Sequence, residues 1–182
     1  MDLLNIFAFS FGIYFLIALI IVHLLKKEFS FKKDPLSKYA NGKWGILITI
    51  GLLVVGINQI ILASNFLKLN YFIPFLFLTL AGLGAMIAGI IKISETNTPA
   101  AHKLGALMQF LFFPLALISY SIFANEHLFT LSIGLITLFL LPIICMNHLK
   151  KKKSANYGLI QKINILLINS WIIIIPYSRL SS

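Results

Sequence analysis

Residues 89–114, with the sequence GIIKISETNTPAAHKLGALMQFLFFP, contain two apolar segments separated by a short polar loop. This stretch holds Glu95, His102 and Gln109, in the densest group of polar side chains outside the lysine runs. An apolar run, a short polar break and a second apolar run are typical of two membrane-spanning helices joined by a loop.

The composition of the whole chain agrees with this interpretation. Of its 182 residues, 59% are apolar and only 11% are charged, whereas ordinary soluble domains are about 45–50% apolar and about 25% charged. A soluble fold of this length could not bury so much apolar surface, so lipid must be the solvent for much of it.

Runs of about 20 mostly apolar residues, the length needed to cross a bilayer, occur six times. They predict spans at about 3–25, 44–63, 71–91, 105–124, 128–146 and 159–177. The first run lacks the basic n-region and cleavage site of a signal peptide and is too long for one, so we expect a retained span. The predicted fold is all-α, a single integral membrane domain over residues 1–182.

The formal net charge is +10, and the lysines lie mainly between the apolar runs. Six lysines follow the first span, two follow the third and four follow the fifth, against only Lys68 and Arg179 on the opposite side. Because positive charge marks cytoplasmic loops, we expect both termini on the non-cytoplasmic side, in a prokaryotic inner membrane or its equivalent. A nucleic-acid-binding protein would instead carry its basic residues on one face of a soluble module.

The polar residues of the fourth span suggest a binding face. His102, Ala106 and Gln109 are four and three residues apart, so they share one face if the helix begins a turn before residue 105. With Glu95 in the preceding loop, this face could bind a polar headgroup or relay a proton. The alternative is that His102 orients the loop and donates a hydrogen bond to the backbone.

Other polar residues lie inside the spans. Asn58, Gln109 and Asn169 could bond to each other or to neighbouring carbonyls, and with His102 they make up the predicted ligand-binding set. Lys162 lies a few residues inside its span and is expected to snorkel to the membrane surface.

Two further patterns concern packing. Small residues in the third span recur four apart, at Ala81, Ala85 and Gly89 and again at Gly84 and Ala88, which favours close packing inside the molecule over self-association. In the first loop, the apolar side chains are expected to dip into the membrane interface; these are Phe29, Phe31, Leu36 and Tyr39.

Several chemistries have no motif here. The chain has no Walker-type loop, zinc-protease pattern or C-x-x-C, and its one cysteine, Cys145, excludes an internal disulfide. We predict no cofactor and no metal. The expected partner is membrane lipid, with a homo-oligomer or larger membrane complex left open.

Two stretches resemble the family named domain of unknown function 998, whose members have about six apolar spans. The matching residues are Pro35-Leu36-Ser37 before the second span, then His102 and Gly105-Ala106, and the resemblance covers about residues 34–119. This chain has Lys-Ile-Ser-Glu at 92–95 where the family tends to have Phe-Pro and Asp, so Glu95 would stand in for that acid. The resemblance implies a fold but no activity.

Three functions follow as hypotheses. The first is a small membrane protein that binds a lipid-like or amphipathic ligand, or serves as an accessory subunit. The second is an intramembrane enzyme acting on lipid headgroups, with His102 as base and Glu95 as its partner. The third is a transporter, for which Pro114 supplies one mid-span break.

Overall fold

A computed structural model of the protein describes residues 3–93, 98–123, 128–149 and 156–180. These residues form six α-helices and no strand. The helices are α1 (Leu3–Leu25), α2 (Gly45–Lys68), α3 (Phe72–Ile90), α4 (Ala100–Phe123), α5 (Leu128–Leu149) and α6 (Tyr157–Leu180), and a short 3-10 helix (Leu36–Ala40) lies between α1 and α2. The predicted all-α membrane bundle is confirmed.

Five helices are long and apolar enough to cross a membrane, judged by length and composition. Their spanning parts are Ile6–Leu25, Gly45–Lys68, Phe72–Ile90, Ala100–Phe123 and Tyr157–Ile174. Helix α5 is 22 residues long, and the described apolar part of it is Thr130–Leu141. The chain is therefore a multi-pass membrane protein.

The helices form a closed ring. Each helix packs against the next in the chain, and α6 returns to pack against α1. The most extensive packing joins α3 to α4 and α2 to α3. The interior between them is filled by buried apolar side chains such as Phe15, Phe113 and Ile168.

Glycines bring α3 close to its two neighbours. A Cβ added at Gly84 would lie 2.6 Å from the carbonyl oxygen of Gly105 and 2.6 Å from the backbone N of Gln109. On the other side of α3, a Cβ added at Gly56 of α2 would lie 2.5 Å from the carbonyl oxygen of Gly82. A Cβ added at Gly82 would lie 2.6 Å from the carbonyl oxygen of Gly56. The expectation that the small residues serve packing within the molecule is confirmed for the α3–α4 and α2–α3 contacts.

The two ends of the bundle differ. At the end away from the 3-10 helix, Trp171 packs edge-on against Phe113, with ring centroids 5.7 Å apart, and Phe66 stacks on Tyr120 at 4.6 Å. The indole N–H of Trp171 donates to the hydroxyl of Thr130. This end is closed by aromatic rings, and the polar residues that line the cavity described below lie nearer the 3-10 helix.

Four helices, α2, α4, α5 and α6, extend beyond the apolar runs that predicted them, α2 and α4 by the most at one end. Helix α2 continues five residues past Ala63 to Lys68, and α4 begins at Ala100, five residues before the expected start. The carbonyl of Pro99 accepts the first helical hydrogen bond of α4, from Lys103 N at 3.1 Å, and proline is well suited to a helix start. Hydropathy marks the limits of the hydrocarbon, whereas the helices continue into the polar layer.

Candidate ligand cavity

A cavity of about 50 Å³ lies in the bundle near the 3-10 helix. Its walls come from α1, α2, α3, α4, α6 and the 3-10 helix, and most of the lining side chains are apolar. Four polar residues also line it, namely Ser37, His102, Gln109 and Gln161. An apolar cavity with a few convergent polar groups is the usual form of a small-molecule site.

The predicted face of α4 forms one wall of this cavity. Because α4 begins at Ala100, His102 lies in its first turn, and His102, Ala106 and Gln109 all line the cavity. The small side chain of Ala106 leaves space between the two polar ones. The structure thus brings together two of the predicted ligand-binding residues, His102 and Gln109.

His102 also has the structural role that was weighed as its alternative. Its side chain is 3% exposed, and Nδ1 lies 2.7 Å from the carbonyl oxygen of Ile91, at the end of α3. A carbonyl oxygen only accepts, so Nδ1 carries a proton and donates this hydrogen bond. This hydrogen bond holds the end of α3 against the start of α4 and fixes the imidazole at the cavity wall.

Gln109 is the deeper polar residue of the cavity. It is 7% exposed, and its Oε1 is buried without a hydrogen-bond partner among the described residues. Most buried polar atoms in proteins are hydrogen-bonded, so an unpaired one at a cavity wall needs an explanation. The contact between Gly84 and the backbone N of Gln109 holds this residue in place.

Helix α6 supplies the opposite wall, which the sequence analysis missed. Gln161, Ile165 and Ile168 line the cavity, and their spacing of four and three repeats that of the α4 face. The Oε1 of Gln161 accepts a hydrogen bond from the backbone N–H of Leu36 at 2.8 Å, across 125 residues of sequence. The spacing of these three residues was the only sequence signal for this wall. The signal was weak, because only one of the three, Gln161, is polar.

Residues 26–44, hereafter the cap, close this end of the bundle. Leu36 and Tyr39 are each 1% exposed, so the prediction that they lie in the membrane interface is wrong for both. Phe31, in contrast, is 48% exposed. The cap folds back into the bundle because its apolar side chains find protein rather than lipid to pack against.

Lys162 attaches the cap to α6. Its Nζ donates to the carbonyl oxygens of Phe31 at 2.8 Å and of Asp34 at 2.7 Å, and it lies over the ring of Tyr39 at 5.0 Å. The side chain is 1% exposed, so the prediction that it snorkels to the membrane surface is wrong. The cap carbonyls solvate the ammonium group within the protein.

Polar contacts within the cap fix its shape. The Asp34 carboxylate accepts from Lys38 Nζ at 2.8 Å and from Ser30 N at 2.8 Å. Burial opposes its ionisation, but these hydrogen bonds and the charges of Lys38 and Lys162 outweigh that effect and lower the pKa of Asp34. The cap therefore holds the carboxylate of Asp34 in the charged form.

The cap also contacts the α3–α4 connection. Lys26 Nζ donates to the carbonyl oxygen of Asn41, and Asn41 Nδ2 donates to that of Ile93 at 2.6 Å. Burial lowers the pKa of Lys26, an effect that the charge of Glu28 partly offsets. The cap, α6 and the loop after α3 thus form one hydrogen-bonded unit above the cavity.

Asn58 and Asn169 do not line the cavity. Both are buried and donate to carbonyls of α1, Asn58 to Ala8 at 2.7 Å and Asn169 to Gly12 at 3.1 Å. These bonds join α2 and α6 to α1, which is the cross-bundle role weighed for them. Gln59, next to Asn58, is 0% exposed, and neither polar atom of its side chain has a partner among the described residues.

Glu95 lies outside the described residues, so its predicted pairing with His102 stays a prediction. In the part of the chain that the structure describes, no three His, Cys, Asp or Glu side chains form a group able to hold a metal ion. Pro114 is buried inside α4, one turn beyond Phe110, whose side chain lines the cavity. The transporter hypothesis, which rests on this proline, also stays a prediction.

A ring of apolar helices with a mostly apolar internal cavity defines a polytopic membrane protein. The chain belongs to the family described as protein of unknown function (DUF998), whose model matches residues 11–176. No curated protein and no solved structure matches the chain. Four of the residues on which the resemblance to this family was based line the same cavity: Leu36, Ser37, His102 and Ala106.

Proposed function

We propose that this membrane protein binds a lipid-like or small amphipathic molecule in the cavity between α4 and α6. The observation that carries the proposal is Gln109, whose buried Oε1 lacks a partner among the described residues at the wall of a cavity of about 50 Å³. This volume admits a polar headgroup rather than a whole lipid, since one water molecule needs about 10–15 Å³ of such space. A bound polar group would satisfy the amide oxygen that the protein itself leaves unpaired.

The distribution of polar groups suits an amphipathic ligand. Ser37 and Gln161 lie at the cap end, whereas Phe15, Val55 and Ile168 form apolar walls. A polar headgroup would bind below the cap, and only the first carbons of its hydrocarbon part would lie against the apolar walls. Each methylene group buried there contributes about 0.8 kcal/mol.

A second candidate is an enzyme acting on lipid headgroups. The hydrogen bond from His102 Nδ1 to the carbonyl oxygen of Ile91 favours it, because this bond fixes the orientation of the imidazole at the cavity wall. The proposed acid partner is Glu95. Loss of turnover in a Glu95→Gln variant that still binds ligand would support this candidate over binding alone.

We further propose that the protein lies in a prokaryotic inner membrane with the cap in the cytoplasm and both termini outside. The support is the excess of lysines in the first, third and fifth connections. A single-cysteine variant at Ser182, in a Cys145→Ser background, would test it. Labelling from outside intact cells is expected, and labelling only after lysis would contradict this orientation.

Mass spectrometry of lipids that co-purify with the detergent-solubilised protein tests the binding proposal. We expect a lipid enriched over the bulk membrane extract, and its loss in His102→Ala. His23→Ala is the matched control, since His23 Nδ1 also contacts a backbone carbonyl, that of Leu19, at 2.7 Å but does not line the cavity. Unchanged lipid content in His102→Ala, or equal loss in both variants, would contradict the proposal.

A further inference from the structure

The lining of the cavity is uncharged apart from one titratable residue. No Asp, Glu, Lys or Arg is among the residues that line it in the described part of the chain. Ser37, Gln109 and Gln161 are neutral, and His102 alone can change its charge. An ionised headgroup buried here would meet no fixed opposite charge, and only protonation of His102 could offset the cost of leaving water.

Two lysines near this end, Lys26 and Lys162, already have contacts in the cap. Lys162 donates to the carbonyls of Phe31 and Asp34, and Lys26 donates to that of Asn41. Lys92 and Lys103 are exposed, and none of these four lysines lines the cavity. A phosphate headgroup inside the cavity would therefore meet no lysine at its wall, and pairing it with Lys26 or Lys162 would break the contacts that close the bundle.

The unpaired atom of Gln109 also restricts the ligand. An amide oxygen accepts hydrogen bonds, so the group that satisfies it must donate one. Ketones and esters have no hydrogen-bond donor, whereas the hydroxyl group of an alcohol can donate to the amide oxygen. Ser37 and the amide N–H groups of Gln161 can in turn donate to a ligand oxygen, so the lining favours a headgroup with both a hydroxyl and a second oxygen.

We propose that the cavity selects lipids with an uncharged, hydroxyl-bearing headgroup, of the diacylglycerol or long-chain alcohol type, over their phosphorylated counterparts. This inference rests on the proposed binding function and specifies its ligand class. Gln109 Oε1 accepts the hydroxyl proton of the headgroup, and the first carbons of the acyl or alkyl chain lie against Phe15, Val55 and Ile168.

Equilibrium binding to the full-length protein in detergent tests the inference with three probes. Dioctanoylglycerol and dioctanoyl phosphatidic acid differ only by the phosphate, and farnesol represents a long-chain alcohol without ester groups. We expect at least one neutral probe to bind about tenfold or more tightly than phosphatidic acid. Tighter binding of dioctanoylglycerol than of farnesol would identify a diacylglycerol as the ligand class, and the reverse order would identify a long-chain alcohol.

Two substitutions place the binding at the cavity. Gln109→Leu should weaken binding of the neutral probe about fivefold to tenfold, the worth of one buried hydrogen bond. Gln59→Leu removes an equally buried glutamine outside the cavity and should leave binding unchanged. If Gln109→Leu does not fold, Gln109→Met provides the same comparison with a side chain of similar length.

The failures are distinguishable. Phosphatidic acid binding as tightly as dioctanoylglycerol would overturn the headgroup inference and leave the binding function in place. Equal weakening by the two glutamine substitutions would overturn the assignment of the hydroxyl to Gln109. Absence of binding by all three probes, together with no co-purified lipid, would overturn both the inference and the proposed function.

Discussion

The contact between Gly84 and Gly105 leads to a prediction that the geometry makes quantitative. In Gly84→Ala, the new Cβ would lie 2.6 Å from the carbonyl oxygen of Gly105 and 2.6 Å from the backbone N of Gln109. Both are backbone atoms of a regular helix, so neither can rotate away. To reach the 3.4 Å of ordinary van der Waals contact, α3 and α4 must separate by about 0.8 Å.

This separation affects the most extensive helix contact in the bundle. Overpacking a tightly packed interface typically costs about 1–3 kcal/mol. At about 2 kcal/mol, the melting temperature of a chain this size falls by about 4–8 °C. The displacement also moves Gln109, so binding of any ligand in the cavity should weaken along with stability.

Thermal unfolding in detergent, followed by the circular dichroism of the helices, measures the effect. Gly134→Ala in α5 is the control, because its added Cβ would meet Ile118 Cγ1, Leu117 Cβ and the carbonyl oxygen of Pro114 at 3.0, 3.1 and 3.3 Å, all farther away than 2.6 Å. A shift of a few tenths of an ångström relieves those contacts, so we expect a change below about 1 kcal/mol.

Gly105→Ala inserts a methyl group into the same interface from the other side, 2.8 Å from the carbonyl oxygen of Gly84. The double substitution should cost less than the sum of the two, since helices separated by the first methyl group already accommodate part of the second. A Gly84→Ala protein that melts within 1 °C of the wild type would refute the reasoning, as would strict additivity of the two changes.

Three other predictions concern buried polar groups. Asn58→Leu should destabilise the bundle by about 1 kcal/mol, because the hydrogen bond to the carbonyl of Ala8 is lost. Gln59→Leu should be neutral or stabilising, since no hydrogen bond to a described residue is lost. The free energies of unfolding of the two variants can be compared in mixed micelles. Lys162→Met should leave the carbonyls of Phe31 and Asp34 without their donor. Amide hydrogen exchange should then become faster in the cap, whereas α3 and α4 should stay protected. Unchanged exchange in the cap would contradict its attachment to α6 through Lys162. Burial raises the pKa of Tyr39 to about 12, so the folded state resists ionisation of the phenol. The protein therefore loses stability as the pH rises from about 10 to 12, where the unfolded chain ionises first. In thermal melts at alkaline pH, Tyr39→Phe should lose less stability over this range than the wild type, and identical pH profiles would contradict this.

The sequence allowed the helices and one face of the site to be predicted. Apolar runs of membrane-spanning length located the helices, because in lipid every backbone polar group must be satisfied within its own segment. The spacing of His102, Ala106 and Gln109 then placed three residues on one face of α4, all of which line the cavity. Periodicity determines which residues share a face of a helix.

Periodicity does not determine which neighbour that face meets. Asn58 and Asn169 were grouped with the site because both are polar residues in apolar runs, yet both face α1. Lys162 illustrates the same limit, since its solvation depends on cap carbonyls 128 and 131 positions earlier in the chain. Gln161 likewise meets Leu36 across 125 residues, a pairing that no local pattern encodes.

The distance in sequence between the cap and α6 affects the order in which the protein can be completed. Residues 26–44 leave the ribosome long before their bonding partners on α6. Until α6 inserts, the cap lacks Lys162 and Gln161, and the cavity lacks the wall that Ile165 and Ile168 form. A nascent chain arrested before α6 would therefore leave the cavity open on that side, and the site is assembled only once α6 has joined the bundle.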